Sequence, residues 1–307
     1  MFVNKNNLSY YIEILRPSYW FKNFVVYLGG LASIFYHKPE SDMWFLFSRL
    51  SFAFILACLI SSVNYIVNGL ADEKTDSFHP LKGKRAIPNQ RVSKRFLYGI
   101  MFFLLLTSSA LALIVFGQKV FQFLFLLFLA GLLYNLKPIR LKDRFVLDVI
   151  SESVNNPLRI LIGWFAVRES FIFPPLSFLF LFWTSGAILM STKRYAELKF
   201  LSEKFPKAIP FHYRNSYRYY RLGNIFLITI LYFLLTLCLF GYFAIIYKPR
   251  LLLALPLLLF LFIWLVVLME DEKGLLKEPE NLFFKKPLFS LAAGLILLIL
   301  IVLLSSW

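Results

Sequence analysis

Apolar stretches alternate with short polar loops along the whole of this chain. A helix rises about 1.5 Å per residue, so a bilayer core of roughly 30 Å needs about 20 apolar residues. Nine stretches meet this need to within a few residues, at positions 19–36, 44–67, 96–116, 120–136, 145–167, 173–190, 224–247, 251–269 and 287–304. The pattern predicts an all-α, polytopic membrane bundle of nine transmembrane helices.

The composition supports a membrane protein. Hydrophobic residues make up 59% of the chain and 36 residues are Phe, with a mean hydropathy of +0.69. A soluble domain cannot bury so large an apolar fraction. The net charge of +16 therefore points to charged loops and to anionic ligands or membrane lipids, and no nucleic-acid partner is expected.

Lys and Arg are distributed unevenly between the loops. They cluster before the first stretch and after the second, fourth, sixth and eighth, and they are sparse in the other loops. The positive-inside rule then places the N terminus in the cytoplasm and, with nine spans, the C terminus on the opposite side. We expect residues 1–307 to form a single integral membrane domain, in a bacterial cytoplasmic membrane, with its active site on the cytoplasmic side.

The second stretch ends in a short polar ladder, Asn68, Asp72 and Asp76, which we call the Asp ladder. If the helix continues, positions four apart advance by about 40° and stay on one face. Mg²⁺ binds through one or two protein carboxylates and completes its shell with water and substrate phosphates. The spacing predicts a Mg²⁺ site at these three residues; the alternative is an ordinary charged loop in solvent.

Three groups of residues on the same predicted face are candidate substrate-binding or catalytic residues. Those that follow the Asp ladder are His79, Lys82, Lys84 and Arg85. Those before and in the fifth stretch are Tyr134, Lys137, Arg140 and Asp148. Those at the end of the sixth stretch are Lys193, Arg194, Tyr195 and Glu197. Lys and Arg bind phosphate oxygens, and Arg can do so with a bidentate fork.

The fifth stretch carries charges at membrane depth, where an ionisable residue is a functional candidate by default. Asp148, Glu152 and Arg159 can share one helix face. The three can equally form a purely structural salt bridge, and both interpretations stay open. The sequence 155–157, Asn-Asn-Pro, should interrupt the helix locally.

The motifs of other enzyme classes are missing. The sequence has no Walker loop, no Ser/His/Asp or Cys/His constellation, and no second Asp-rich ladder. A site built from a metal and cations suits a reaction whose nucleophile is already ionised, such as a phosphate.

Taken together, these motifs resemble the UbiA prenyltransferase superfamily. The wider pattern is similar to the branch typified by decaprenyl-phosphate phosphoribosyltransferase, and it consists of Asn68, Asp72, Asp76, His79, Pro80, Lys82 and Arg85, then Tyr134 and Lys137, then residues 193–197. Asp148, Arg159 and Gly163 also resemble the fifth span of that branch. The motifs cover spans two to six, whereas the last three spans match by hydropathy alone.

The resemblance implies nine helices around a central cavity that opens toward lipid. It implies Mg²⁺ between the Asp ladder and a donor diphosphate, with phosphoribosyl diphosphate as the donor and a polyprenyl phosphate as the acceptor. Asn68, Asp72 and Asp76 would hold the metal, and Lys82, Lys84 and Arg85 would neutralise phosphate oxygens. Tyr134 and Lys137 would contact the diphosphate or the lipid phosphate. Lys193 and Arg194 would bind the remaining phosphate, with Glu197 ordering them or contacting ribose hydroxyls.

Several departures bear on the substrates. Gly69 stands where the branch often has Asp, residues 86–88 read Ala-Ile-Pro, and residues 155–157 are unusual for the branch. One alternative is a prenyltransferase that moves an isoprenoid from a prenyl diphosphate to a small acceptor. Another is a non-catalytic membrane protein that binds anionic lipids. The motifs predict neither the prenyl chain length nor the oligomeric state.

Overall fold

A computed structural model describes residues 8–37, 41–79, 82–167, 172–204, 208–269 and 286–304. Within these ranges the chain is helical and has no β-strand. It divides into two compact units, the first comprising Met1–Pro174 with Phe211–Asn215 and the second Pro175–Pro210 with Ser216–Trp307. The two units are described in turn.

The first unit contains seven α-helices and three short 3-10 helices among its described residues. The α-helices are α1 Leu8–Leu15, α2 Val25–His37, α3 Met43–Asp76, α4 Lys94–Phe116, α5 Gln118–Asn135, α6 Leu147–Ser153 and α7 Asn155–Ala166. The 3-10 helices are Pro17–Phe24, Lys82–Lys84 and Leu141–Asp143. Helix α3 is 34 residues long, and its N terminus is capped by Asp42, which accepts a hydrogen bond from the Phe45 N–H at 3.3 Å.

Helices α2 and α7 cross at glycines, where their backbones touch. A Cβ atom on Gly29 would lie 2.1 Å from the Ile160 carbonyl oxygen, and one on Gly163 would lie 1.8 Å from the Val26 carbonyl oxygen. Such contacts are possible only with glycine, as in other close helix crossings in membranes. The crossing fixes the inner face of α7, including Arg159, beside α2.

The predicted interruption of the fifth stretch is confirmed. Helix α6 ends at Ser153 and α7 begins at Asn155, with Val154 between them. Pro157 lies in the first turn of α7, where proline is tolerated because the first N–H groups of a helix lack intrahelical partners. The break therefore lies immediately before the Asn-Asn-Pro sequence.

The second unit is built on a pair of long helices. Its α-helices are α8 Leu176–Lys204, α9 Ala208–Tyr213, which ends in the first unit, α10 Leu222–Tyr247, α11 Leu255–Met269 and α12 Lys286–Leu304, and its 3-10 helices are Asn215–Arg218 and Pro249–Ala254. Hydroxyl groups link α8 to α10: Thr236 donates to Thr184 and Thr229 donates to Ser191, each at 2.9 Å. Such interhelical hydrogen bonds suit helices in lipid.

Each of the nine predicted stretches coincides with a helix or with a pair of consecutive helices. In the part of the chain that the structure describes, six helices are long and apolar enough to cross a bilayer: Met43–Asp76, Lys94–Phe116, Gln118–Asn135, Leu176–Glu203, Leu222–Tyr247 and Pro249–Met269. In the first and fifth stretches the helices are shorter, with 13 residues in α2 and 12 in α7, and in the ninth the part of α12 that counts as an apolar helix is Ser290–Ile299. The all-helical membrane fold is thus confirmed, and the count of nine spans stays a prediction.

Candidate functional site

The Asp ladder lies on the last turns of α3, as the spacing predicted. Helix α3 continues without interruption to Asp76, so the three side chains follow one stripe of the helix. The Asn68 amide donates to Asp72 Oδ2 at 3.1 Å. The three side chains are half-buried or buried, and Asp76 is only 5% exposed.

Two cations from the loop after α5 hold the Asp72 carboxylate. Arg140 Nη2 lies 2.9 Å from Asp72 Oδ1, and Lys142 Nζ donates a hydrogen bond to the same oxygen. With Asn68 on Oδ2, both carboxylate oxygens are bonded. These are charge-assisted hydrogen bonds, which are stronger than neutral ones.

Asn135 orders this arrangement from the end of α5. Its Oδ1 accepts from Asn68 at 2.6 Å and from Lys142 at 2.9 Å, and its backbone carbonyl accepts from Arg140 at 3.1 Å. Burial lowers the pKa of Lys142 to about 8, although the charge of Asp72 opposes this. We call the five residues Asn68, Asp72, Asn135, Arg140 and Lys142 the Asp72 cluster.

The backbone that carries Arg140 and Lys142 is strained. Arg140 has φ 35° and Val146 has φ 64°. A positive φ is unfavourable for any residue with a Cβ atom and is a genuine outlier for a β-branched one. Strain of this kind persists where surrounding contacts fix the backbone, commonly at functional sites.

Asp76 has a different environment. Arg85 Nη1 lies 3.7 Å from its Oδ2, Lys82 also acts on it electrostatically, and its carboxylate accepts no hydrogen bond from the described residues. Arg16 lies within electrostatic range, and its guanidinium is 5.5 Å and 5.3 Å from the ring centres of Tyr19 and Tyr65. Burial lowers the pKa of Arg16, and the charge of Arg85 acts in the same direction.

Segment 211–215 packs on the basic loop that follows the Asp ladder. The His212 ring stacks on Phe78 with centroids 5.6 Å apart, and Tyr213 meets His79 edge-on at 4.7 Å. Lys82 donates a hydrogen bond to the Tyr213 hydroxyl. The segment thereby fixes His79 and Lys82, two predicted phosphate ligands.

Arg214, in the same segment, contacts the end of α5, the loop that follows it and α6. It donates to the Tyr134 hydroxyl at 2.6 Å and to the Lys142 carbonyl at 3.2 Å, and it lies 3.8 Å from Asp148. The Tyr134 hydroxyl donates in turn to Glu152 at 2.8 Å. Asp148 is fully buried, so its proximity to Arg214 keeps its charge from being buried alone.

Arg159 lies in a second polar group, the Arg159 cluster, formed with Asn23, Cys58, Ser61 and Asn156. Arg159 Nε donates to Asn23 Oδ1 at 2.7 Å, and Nη1 donates to Asn156 Oδ1 at 3.3 Å. Ser61 also donates to Asn23 Oδ1, at 3.1 Å, and Asn23 donates to Cys58 Sγ at 3.3 Å. Arg159 is 8% exposed and Asn23 is completely buried.

The candidate residues of the second unit form their own buried group. Arg194 Nη1 lies 3.4 Å from Glu197 Oε2, which also accepts a hydrogen bond from the Tyr217 hydroxyl. Tyr195 is buried, with its ring centre 6.5 Å from that of Phe226 on α10. Lys193 is half-buried. The roles predicted for these four residues stay predictions.

The structure brings together some residues that the sequence singled out and not others. Lys84 and Lys137 are exposed and lie outside the clusters. Pro80 and the charged loop 270–274 fall outside the described residues. Sequence reasoning overlooked the site roles of Asn135, Lys142 and Arg214, which were visible only as loop residues.

The donor set suits a magnesium ion that is shared with substrate. The described residues contain no group of three or more His, Cys, Asp or Glu side chains placed to hold a metal. Asp72 and Asp76 are one turn apart, however, and Asp76 keeps its acceptor capacity. Mg²⁺ commonly uses one or two carboxylates and takes its other ligands from phosphates and water. The ladder fits such a partial site and not a complete protein cage.

A family model described as the UbiA prenyltransferase family matches residues 25–285. The chain is similar to decaprenyl-phosphate phosphoribosyltransferase from Mycolicibacterium smegmatis, with 29% identity over 202 residues, which cover 64% of this chain and 59% of that protein. The nodulation protein NoeC from Azorhizobium caulinodans is 29% identical over 189 residues, covering 61% and 57%. The chain thus matches less than two thirds of the length of these relatives.

Solved structures show the same fold. A UbiA homolog from Archaeoglobus fulgidus bound to DMAPP and Mg²⁺ superposes with a TM-score of 0.70 at 16% identity, covering 97% of this chain and 99% of that one. A structure described as digeranylgeranylglyceryl phosphate synthase gives a TM-score of 0.62 at 16% identity, covering 97% and 96%. At this identity the likeness is one of fold.

Proposed function

The chain belongs to the UbiA prenyltransferase family of membrane enzymes, and within that family we propose that it transfers a 5-phosphoribosyl group from phosphoribosyl diphosphate to a polyprenyl phosphate. The observation that carries the proposal is the excess of cations around the Asp ladder. Arg140, Lys142 and Arg214 act on Asp72, and Lys82, Arg85 and Arg16 act on Asp76, so these cations outnumber the ladder carboxylates and Asp143, which pairs with Arg140. A donor with a diphosphate and a further phosphate needs such an excess.

The proposed reaction needs no strong general base. An oxygen of the acceptor phosphate, already ionised, attacks the anomeric carbon of the donor. The bond from that carbon to the diphosphate oxygen breaks, and the electron pair leaves with pyrophosphate. Bound Mg²⁺ would supply positive charge to the diphosphate, with Asp72 and Asp76 as protein ligands and Asn68 orienting Asp72.

The chain's own cations would stabilise the leaving group. Arg85 and Lys82 follow the ladder directly, and Tyr213 and His79 hold Lys82 in place. Positive groups placed where charge develops stabilise the transition state more than the ground state. Lys142 and Arg140 are already oriented at Asp72, so they can transfer contacts to phosphate oxygens when a substrate binds there.

A direct assay tests the proposal. Purified protein with Mg²⁺, labelled phosphoribosyl diphosphate and a polyprenyl phosphate should release pyrophosphate and move the label into lipid. The Asp72→Ala, Asp76→Ala double variant should lose this activity. Asp42→Ala is the matched control, because Asp42 caps the opposite end of α3, and it should keep activity per folded molecule. Full activity in the double variant would refute the metal assignment.

Prenyl transfer is the second candidate, because fold neighbours from A. fulgidus were solved with DMAPP or GPP and Mg²⁺. The two functions differ in which substrate carries the diphosphate. Incubation with labelled geranylgeranyl diphosphate and a small aromatic acceptor separates them, since the preferred function predicts no prenyl transfer.

We also propose the predicted topology, a single membrane domain with its site on the cytoplasmic side of a bacterial inner membrane. Lys84 follows the Asp ladder and is exposed, so it reports on that side. A Lys84→Cys variant should react with a membrane-impermeant thiol reagent in inside-out vesicles and not in right-side-out ones. The opposite labelling would overturn the topology.

A further inference from the structure

Arg159 carries a buried positive charge without an ion pair. Its guanidinium bonds to two neutral amide oxygens, those of Asn23 and Asn156, and no carboxylate of the described residues forms a salt bridge with it. A buried charge is costly unless it is paired. The site therefore gains stability from any anion that reaches this guanidinium.

The guanidinium keeps donors available for such an anion. It has five N–H groups, and the described contacts use one on Nε and one on Nη1. The Nη2 group makes no hydrogen bond with the described residues. It is also not one of the fully buried polar atoms without a partner, so part of its surface is accessible. Two adjacent nitrogens of an arginine fork match two oxygens of a phosphate.

The fork is held in place before any ligand arrives. Asn23 is fully buried and its oxygen accepts from both Arg159 and Ser61. Arg159 also lies on the face of α7 that the Gly163 and Gly29 contacts press against α2. Because its orientation is set by packing, little side-chain entropy remains to be lost on binding.

Tyr65 adds a hydroxyl beside the fork. Its ring takes part in the contact with Arg16, and its hydroxyl makes no hydrogen bond with the described residues. Electrostatic interactions link Tyr65 to Arg16 and to Arg159. Tyr65, Asn68 and Asp72 follow the same stripe of α3, and seven residues of helix place Tyr65 about 10 Å from the level of Asp72.

We propose that Arg159, oriented by Asn23 and assisted by Tyr65, binds a phosphate monoester at a subsite separate from the Asp ladder. The proposal rests on the proposed function, which has two such groups, the acceptor's lipid phosphate and the donor's 5-phosphate. A monoester dianion matches the paired donors and a guanidinium whose charge is offset only electrostatically, by Glu152, without an ion pair among the described residues, whereas Asp72 is already neutralised by its own cations.

Binding measurements on the purified full-length protein test this without turnover. The probes are farnesyl phosphate, ribose 5-phosphate and, as a control without phosphate, farnesol, each titrated by calorimetry. The informative variant is Asn23→Asp, which keeps the side-chain shape and places a carboxylate 2.7 Å from Arg159 Nε. Arg159→Gln removes the charge. Arg49→Gln is the matched control, because Arg49, on α3, is a partly buried arginine that donates to the Ala166 carbonyl.

We expect at least one phosphate probe to bind the wild type and Arg49→Gln equally, and to bind Asn23→Asp and Arg159→Gln about 10- to 100-fold more weakly, as expected for losing charge-assisted hydrogen bonds. If the two variants weaken binding of farnesyl phosphate alone, the subsite belongs to the acceptor. If they weaken binding of ribose 5-phosphate alone, it belongs to the donor. Wild-type affinity in both variants, or binding of neither probe to the wild type, would overturn the proposal. Size-exclusion profiles and melting temperatures identify any variant that has failed to fold.

The outcome is separable from the proposed function. Arg159-dependent phosphate binding without pyrophosphate release would retain the subsite and reject the phosphoribosyl transfer. Phosphoribosyl transfer with unchanged phosphate binding in both variants would do the reverse.

Discussion

The Asp72 cluster and the Arg159 cluster both include residues of α3, and they balance charge in opposite ways. In the first, the Asp72 carboxylate is bonded to two cations and one amide, and Arg140 also pairs with Asp143 at 2.6 Å, so two cations face two carboxylates. In the second, one guanidinium is bonded only to neutral groups. A balanced cluster must exchange partners when a ligand binds, whereas an unbalanced one gains a missing partner. The two clusters should therefore respond differently to loss of a charge.

The largest effect is expected at the Asp ladder. Asp72→Asn and Asp76→Asn should each lower kcat by about 100- to 1000-fold, since each removes charge that positions the diphosphate. Their stabilities should differ. Asp72→Asn leaves Lys142 buried without its anion, while Arg140 keeps its ion pair with Asp143, and breaking the buried pair costs about 3–5 kcal/mol. Asp76 has no hydrogen bond to lose among the described residues.

Rates and melting temperatures of the two variants, with Asp42→Asn as control, check this prediction. Equal melting temperatures for Asp72→Asn and Asp76→Asn would show that the Asp72 cluster is not stabilised by its internal ion pairs. The contrast with the Arg159 cluster would then be wrong.

A glycine substitution should break the Arg159 cluster and spare the Asp72 cluster. Gly163→Ala puts a methyl group 1.8 Å from the Val26 carbonyl oxygen, a backbone atom that cannot move alone, so α7 must shift. We expect a loss of about 3 kcal/mol, at the upper end for overpacking, and loss of phosphate-monoester binding. Gly241→Ala is the control, because nothing lies within 4 Å of its new methyl group, and it should be neutral or stabilising by up to about 1 kcal/mol.

Sequence pattern predicted the regular parts of both clusters. The four-residue spacing of Asn68, Asp72 and Asp76 carries information because a helix repeats, and α3 continues through all three. Pro157 predicted the break for an equally local reason. Lys142 and Lys137 could not be ranked, since both lie in a loop and no period tells which side chain turns inward. Lys142 is buried and bonded to Asp72, while Lys137 is exposed.

Arg214 shows the same limit over a longer range. It reaches Tyr134, 80 positions earlier in the chain, because segment 211–215 packs back on the first unit. The sequence shows Arg214 only as one of many cations in a loop. Tertiary contacts decide which of them is buried.

A double-mutant cycle measures how tightly the Asp72 cluster is coupled. Lys142→Met and Asp72→Asn should each destabilise the protein, and the double variant should be more stable than the sum of the two predicts. We expect a coupling free energy of about 1–3 kcal/mol, since contacting residues of a charged network are not additive. Arg49→Gln combined with Asp72→Asn, at opposite ends of α3, should be additive within about 0.5 kcal/mol. Measured additivity for Lys142 and Asp72 would show that the two residues of the Asp72 cluster are not energetically coupled.

The smallest effect concerns the hydrogen bonds of Tyr134, which link segment 211–215 to helices α5 and α6. Tyr134→Phe removes one hydroxyl that accepts from Arg214 at 2.6 Å and donates to Glu152 at 2.8 Å. Its loss should destabilise the protein by about 1–2 kcal/mol, because two hydrogen bonds to charged groups disappear while the ring remains. Tyr98→Phe, at an exposed position of α4, should change stability by less than about 0.5 kcal/mol. If the hydroxyl also orders Lys142 through Arg214, Tyr134→Phe should raise KM for phosphoribosyl diphosphate more than it lowers kcat, and an unchanged KM would limit its role to stability.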